Sequence, residues 1–123
     1  MFRTALLVGS FLGMTAVILG AMGAHALQGK LEPKLLNSFT VGARYQMIHA
    51  LVLILLGLWA RSYPSKTIHV AIGCIIAGVL LFSGSIYILV FLRWKVGIVT
   101  PIGGLFMIVG WALMFVAALQ IKA

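Results

Sequence analysis

Residues 75–82 read Ile75-Ile76-Ala77-Gly78-Val79-Leu80-Leu81-Phe82, eight consecutive positions without a polar side chain. They lie within a longer apolar run, residues 67–92, and a helix needs about 20 apolar residues to cross the hydrocarbon of a bilayer. A strand of a membrane β-barrel would alternate apolar and polar residues instead. Since this run does not alternate, it predicts a membrane-spanning helix.

Further apolar runs of similar character cover residues 4–27, 44–60 and 98–121. Only 8% of the 123 residues are charged, and the one carboxylate, Glu32, stands against nine Lys and Arg. A soluble domain needs a charged surface, which this composition cannot supply. We therefore predict an all-α, four-transmembrane-helix bundle that forms a single membrane domain over residues 1–123. The lipid bilayer surrounds it, and no room remains for a soluble catalytic domain.

The net charge of +8 does not indicate nucleic-acid binding, because the basic residues flank the apolar runs instead of forming a patch. Four of them (Arg3, Arg61, Lys66 and Lys122) fall on one predicted side of the membrane, and five (Lys30, Lys34, Arg44, Arg93 and Lys95) fall on the other. The positive-inside rule needs a clearer bias to set the orientation. The free amine at Met1 favours cytoplasmic termini. A single cysteine, Cys74, excludes an internal disulfide.

Residues 28–43 are the longest polar piece of the chain. Gly29 suits the end of the first helix, and Pro33 suits the first turn of the next one. Apolar and polar residues then segregate to two sides, which predicts a short interfacial amphipathic segment that runs into the second span. Farther along, Thr100 and Pro101 are typical of a helix start, with Thr as the cap.

Small residues recur along one face of the first and last spans. In the first span they are Gly9, Gly13, Ala16, Gly20 and Ala24, and in the last they are Gly103, Gly110 and Ala117. Small side chains let helix backbones approach closely within a membrane. The two strips therefore predict helix packing, either within the chain or against a partner.

Polar side chains near one end of the predicted bundle form the candidate site. They are His25, Arg44, Tyr45, Gln46, His49, Ser83, Ser85, Tyr87 and Thr100. Polar residues within spans usually face the bundle interior or water. Because a short connection reverses the chain between them, we expect His25 and His49 to lie at similar depth and to face each other. The sequence predicts that these residues converge on a ligand pocket.

Other interpretations of the same side chains stay open. The histidines would equally serve as packed imidazoles bonded to a carbonyl, a Tyr or a Gln. Two histidines could ligate haem or a metal, but the spans hold no Asp or Glu and only the lone Cys74, so we predict no metal site and no cofactor. Ser83 and Ser85 lack the acid that orients a catalytic histidine. The amides of Gly103 and Gly104 could hold an anion or simply pack.

Sequence blocks in these regions resemble those of a known family. The blocks are Gly20-Ala21-Met22-Gly23-Ala24-His25, Tyr45-Gln46-Met47-Ile48-His49, Phe82-Ser83-Gly84-Ser85-Ile86-Tyr87, Thr100-Pro101-Ile102-Gly103-Gly104 and Gly110-Trp111. Together they resemble the YgdD/YwdK-like small integral membrane proteins, domain of unknown function 423, which are also similar to transmembrane protein 256. Met22 departs from the Phe that is common there. The resemblance implies a four-helix, multi-pass protein of the bacterial inner membrane and supplies no activity.

From these residues we predict a non-enzymatic membrane protein with a small polar pocket for a lipid head group or another anionic or amphiphilic ligand. Arg44 would supply the charge, and His25, Tyr45, His49 and Tyr87 would supply hydrogen bonds. The alternative is a structural subunit or assembly factor of a larger membrane complex, suggested by the two small-residue strips. A homo-oligomeric channel or transporter ranks last, because no polar seam runs along a whole span.

Overall fold

The computed structural model describes residues 1–122, which are helical except for their connections. Helix α1 spans Phe2–Ala21 and continues as a π-helical turn, Met22–Ala26. Helix α2 spans Pro33–Ser62, α3 spans Lys66–Leu92 and α4 spans Val99–Leu119. All four are long and apolar enough to cross a membrane. The predicted all-α, four-span architecture is confirmed.

Helix α2 begins well before the predicted start of the second span, because the amphipathic segment belongs to the helix itself. Its 30 residues correspond to about 45 Å, which exceeds the ~30 Å hydrocarbon layer. Pro33 opens the helix as predicted. Gly29, with a φ of 78°, turns the chain ahead of it. The segment is thus the first part of α2 and not a separate element.

The prediction that Thr100 caps the fourth helix is wrong. Helix α4 begins at Val99 with Ile98 at the cap position, and no side chain bonds to the first turn. Thr100 lies inside that first turn, where its hydroxyl contacts Ser85 instead. Pro101 still occupies a position at which the missing N–H of proline costs nothing.

The helices pack in chain order, α1 on α2, α2 on α3 and α3 on α4. Glycines allow the closest approach, which is between α3 and α4. A Cβ added at Gly103 would collide with the backbone nitrogen of Phe82, and one at Gly78 would lie 2.8 Å from the backbone nitrogen of Met107. Gly110 packs in the same way against Ile75. The strip predicted in the last span is therefore covered by α3.

The α1–α2 contact sets the relative depth of residues on those two helices. A Cβ at Gly57 would lie 3.1 Å from the carbonyl oxygen of Phe2, and one at Gly9 would lie 3.0 Å from that of Ala50. Farther along, Gly23 faces the ring of Phe39. The two helices are thus antiparallel, and the middle of α2 lies level with the middle of α1.

Large aliphatic side chains of α2 and α3 fill the centre of the bundle. The fully buried ones include Leu53, Leu56, Ile68, Ile72 and Ile75. Apolar side chains also cover the outside; Leu55, Leu105 and Phe115, for example, are 62%, 61% and 69% exposed. An apolar exterior around an apolar core is the arrangement expected of a protein solvated by lipid.

Candidate functional site

Gln46 joins three helices at the centre of the predicted polar cluster. Its side-chain nitrogen donates to the carbonyl oxygen of Leu12 at 2.9 Å and to the hydroxyl of Thr15 at 2.7 Å, both on α1. Its side-chain oxygen accepts from the Tyr87 hydroxyl of α3 at 2.6 Å. Gln46 is 3% exposed. Both amide hydrogens and the oxygen are thus used within the bundle.

Ser83 adds a second link between α2 and α3. Its hydroxyl donates to the carbonyl oxygen of Gly42 at 2.7 Å, and the side chain is 2% exposed. Gly42 permits this contact because a side chain at that position would meet Ile86. Among residues 1–122, every buried side-chain nitrogen and oxygen has a hydrogen-bond partner. The buried polar groups therefore hold the helices together. Thr15, Gln46, Ser83 and Tyr87 also line a space of about 210 Å³ between α1 and α3, but each of these side chains already has a hydrogen-bond partner within the bundle.

His49 bridges α2 to α4, away from the Gln46 network. Its Nδ1 lies 2.8 Å from the Tyr45 carbonyl oxygen, and its Nε2 lies 3.1 Å from the Trp111 indole nitrogen. A carbonyl only accepts and an indole N–H only donates. The imidazole is consequently neutral, with the proton on Nδ1 and the lone pair of Nε2 directed at Trp111.

Ser85 and Thr100 pair at the start of α4. The Ser85 hydroxyl bonds to the Phe82 carbonyl oxygen of its own helix and to the Thr100 hydroxyl. Ser85 is buried and Thr100 is half-buried. Their meeting was expected from the antiparallel arrangement, but it forms a separate contact between α3 and α4.

The prediction that His25 and His49 face each other is wrong. Ala50, next to His49, packs against Gly9 and Gly13 of α1. His25 lies twelve residues beyond Gly13, which at 1.5 Å per helical residue is about 18 Å of depth. His25 is also exposed. The two imidazoles therefore do not share a pocket.

Arg44 and Tyr45 lie on the surface of α2, both exposed. Arg44 borders a groove of about 320 Å³ between α1 and α2. Small residues of α1 leave this groove open, because Ala16, Gly20 and Gly23 form its α1 wall. A Cβ at Gly20 would touch no atom within 4 Å. The groove was not anticipated from the sequence.

Two participants in the polar contacts were absent from the predicted site, Thr15 and Trp111. In the sequence, nothing distinguishes Thr15 from the other small residues of the first apolar span. Trp111 had a usable signal, since tryptophan prefers the membrane interface and this one falls near the middle of α4. An indole N–H at that depth has no water to bond to and needs an acceptor in the protein, and His49 supplies it. In residues 1–122, no three His, Cys, Asp or Glu side chains come together as a metal site would require.

Comparison with known proteins gives consistent matches. The family model described as "Protein of unknown function (DUF423)" matches residues 19–104. The chain is 40% identical over 116 residues to the UPF0382 membrane protein SAB0533 of Staphylococcus aureus strain bovine RF122, covering 94% of each chain. It is 37% identical over 120 residues to the UPF0382 membrane protein YwdK of Bacillus subtilis strain 168, covering 96% of this chain and 98% of YwdK. No solved structure matches.

Proposed function

The chain belongs to the DUF423 family and is a multi-pass membrane protein, and from that premise we propose that it binds an anionic phospholipid without acting as an enzyme. The observation that carries the proposal is the groove between α1 and α2 with Arg44 at its edge. One acyl chain would lie in the groove, and the phosphate would pair with the guanidinium.

The groove has the lining that an acyl chain requires. Apart from Thr40 and Arg44, its walls are apolar or glycine, with Phe39, Met47 and Ile48 on the α2 side. It lies on the outside of the bundle, where lipid chains have direct access. Glycine at position 20 widens it without creating an internal cavity, since a Cβ there would meet no atom within 4 Å.

Arg44 lies at a depth that favours an anionic partner. It precedes Trp59 by fifteen residues, or about 22 Å along α2. With Arg61 and Tyr63 close by, Trp59 has the neighbours typical of a membrane interface. Taking it as one boundary puts Arg44 inside the ~30 Å hydrocarbon layer, roughly 8 Å from the far boundary. A charge at that depth is costly unless it reaches a head group or a counter-ion.

The chain itself cannot neutralise its cations. Glu32 is the one acidic side chain against nine Lys and Arg, which leaves a formal net charge of +8 that the side chains cannot balance. Lipid phosphates are the available anions in a bilayer, and a planar guanidinium pairs with phosphate through two hydrogen bonds. The proposal assigns recognition to Arg44. Gln46 and Tyr87, which bond to each other, and Ser83, which bonds to the Gly42 carbonyl oxygen, are left to stabilise the site.

The experiment is native mass spectrometry of the purified protein after exchange into mixed phosphatidylglycerol and phosphatidylcholine. We expect one retained phosphatidylglycerol on the unaltered protein. Arg44→Gln should lower the retention of phosphatidylglycerol about tenfold, because it removes a charge-assisted hydrogen bond that contributes ~1.5 kcal/mol. Gly20→Leu should also lower retention, because the new side chain fills the groove. Gly73→Leu is the matched control, since Gly73 also faces open space and does not line the groove.

Equal retention of both lipids by all four proteins would contradict the proposal. Retention that is lost in Arg44→Gln but kept in Gly20→Leu would contradict the acyl-chain position and would leave a head-group contact alone. Size-exclusion profiles of the variants verify that each one is folded.

The alternative function, a structural subunit or assembly factor, rested on small-residue strips that a partner would cover. The contacts within the chain account for most of these residues, because Gly103 and Gly110 pack on α3 and Gly9 packs on α2; Gly20 and Ala24 stay exposed. A channel or transporter would need a polar seam through a whole span. The buried polar side chains instead form short hydrogen-bonded links between neighbouring helices.

A further inference from the structure

A second groove, of about 290 Å³, separates α2 from α4 on the other side of the bundle. Both helices pack against α3, and the ring of Phe82 on α3 lies at the base between them. The hydrogen bond from Trp111 to His49 crosses this space. The groove lies near the middle of α4, at a depth where acyl chains, not head groups, surround the protein.

Aromatic rings form most of the walls. The Tyr45 ring is stacked on the His49 imidazole at 6.0 Å between centroids, and it lies 5.0 Å from the Phe82 ring. The Trp111 ring meets the imidazole edge-on at 6.0 Å. Trp111 and Tyr45 remain 46% and 41% exposed, so ring surface stays available to a ligand. Such walls favour a flat ring, which can stack and make edge-to-face contacts.

The polar groups of the groove select a neutral, hydrogen-bond-accepting ligand. None of the lining residues is charged, which distinguishes this groove from the one beside Arg44. His49 uses both ring nitrogens within the protein. Tyr45 contributes its backbone oxygen to His49, so its exposed phenol hydroxyl can donate to a ligand carbonyl.

We propose that this groove binds the ring of a membrane-soluble quinone. The ring would lie between Tyr45, Phe82 and Trp111, and one carbonyl oxygen would accept a hydrogen bond from the Tyr45 hydroxyl. The proposal concerns binding and includes no redox step. It stands on a different groove from the lipid proposal, so the failure of either leaves the other intact.

The test uses Trp111 as a reporter. In the Trp59→Phe/Trp94→Phe protein, Trp111 is the sole tryptophan, and its fluorescence is followed while 2-methyl-1,4-naphthoquinone is added in detergent. We expect quenching that saturates with quinone concentration. Tyr45→Phe, made in that background, should raise the apparent dissociation constant about fivefold, the effect of one neutral hydrogen bond. Gly104→Leu should abolish the saturable phase, because Gly104 lines the groove and has room for a side chain.

Gly73→Leu is again the control and should quench as the parent does. Quenching that rises linearly with quinone, and is the same in Gly104→Leu, would overturn the proposal. A competition experiment on the parent Trp59→Phe/Trp94→Phe protein, which carries no substitution in the groove, provides an independent check. A ring-free isoprenoid alcohol that displaces the quinone at equal concentration would also overturn it, since the groove would then bind any apolar chain.

Discussion

Removing the Gln46 side-chain amide should destabilise the bundle by an amount that follows from its three hydrogen bonds. Gln46→Leu keeps a similar volume and deletes the bonds to Leu12, Thr15 and Tyr87. Hydrogen bonds between membrane helices contribute about 0.6 kcal/mol each on average, so the expected loss is about 2 kcal/mol. Thr15 also bonds to the Phe11 carbonyl of its own helix, so Tyr87 carries the larger share of the cost.

The assay is equilibrium unfolding in mixed micelles with increasing SDS. Tyr87→Phe alone should cost roughly 0.6 kcal/mol, the value of one such bond. The double variant, Gln46→Leu/Tyr87→Phe, should be less destabilised than the sum of the two, because both remove the same bond. Thr40→Val is the control, since its hydroxyl bonds within α2 to Leu36. An unchanged free energy of unfolding for Gln46→Leu, or strict additivity in the double variant, would refute the role of Gln46 as the link between α1 and α3.

Three other outcomes follow from the packing. Gly103→Ala should lower the free energy of unfolding by about 1–3 kcal/mol, because the new Cβ meets the Phe82 backbone and α3 must move away. In the same unfolding assay, the control Gly73→Ala should be neutral or slightly stabilising. His25→Ala should leave both the unfolding curve and the retained lipid unchanged, because the side chain is exposed and lies far from His49; a loss of either would restore a site at His25. Cysteines placed at Lys30 and Ser65 should react with an impermeant thiol reagent from opposite faces of the membrane, and labelling from the same face would contradict the topology.

The fold was predictable because lipid imposes a simple rule on the sequence. An apolar run that does not alternate, such as residues 75–82, satisfies its backbone hydrogen bonds inside the hydrocarbon layer by forming a helix. Short connections between the helices then make neighbouring helices antiparallel. Helix ends were predicted less well. The Thr100 cap was wrong because a neighbouring helix offered the hydroxyl a partner, Ser85. Local cap signals cannot anticipate such a contact.

The candidate site was predicted only in part, because sequence spacing gives the face of a helix but not its register against its neighbours. Gln46 and Tyr87 do bond to each other, and Ser83 links the same two helices, α2 and α3. His25 and His49 do not meet, since the packing of Ala50 on Gly9 sets the depth of α2. The groove beside Arg44 was missed for a related reason. Gly20 looks like part of a packing strip, and Gly9 and Gly13 of that strip do pack on α2, but a Cβ at Gly20 would meet no atom within 4 Å.

Photocrosslinking locates a bound lipid directly and therefore tests the central proposal. Phosphatidylglycerol with a diazirine in its acyl chain would be irradiated in vesicles with the full-length protein, and the modified residues would be mapped by mass spectrometry. We expect adducts concentrated in the groove, at Met47 and Ile48 and around Gly20, and we expect them to diminish in Arg44→Gln. Adducts spread evenly over exposed residues of α4, such as Leu105 and Phe115, and unchanged in that variant would contradict it.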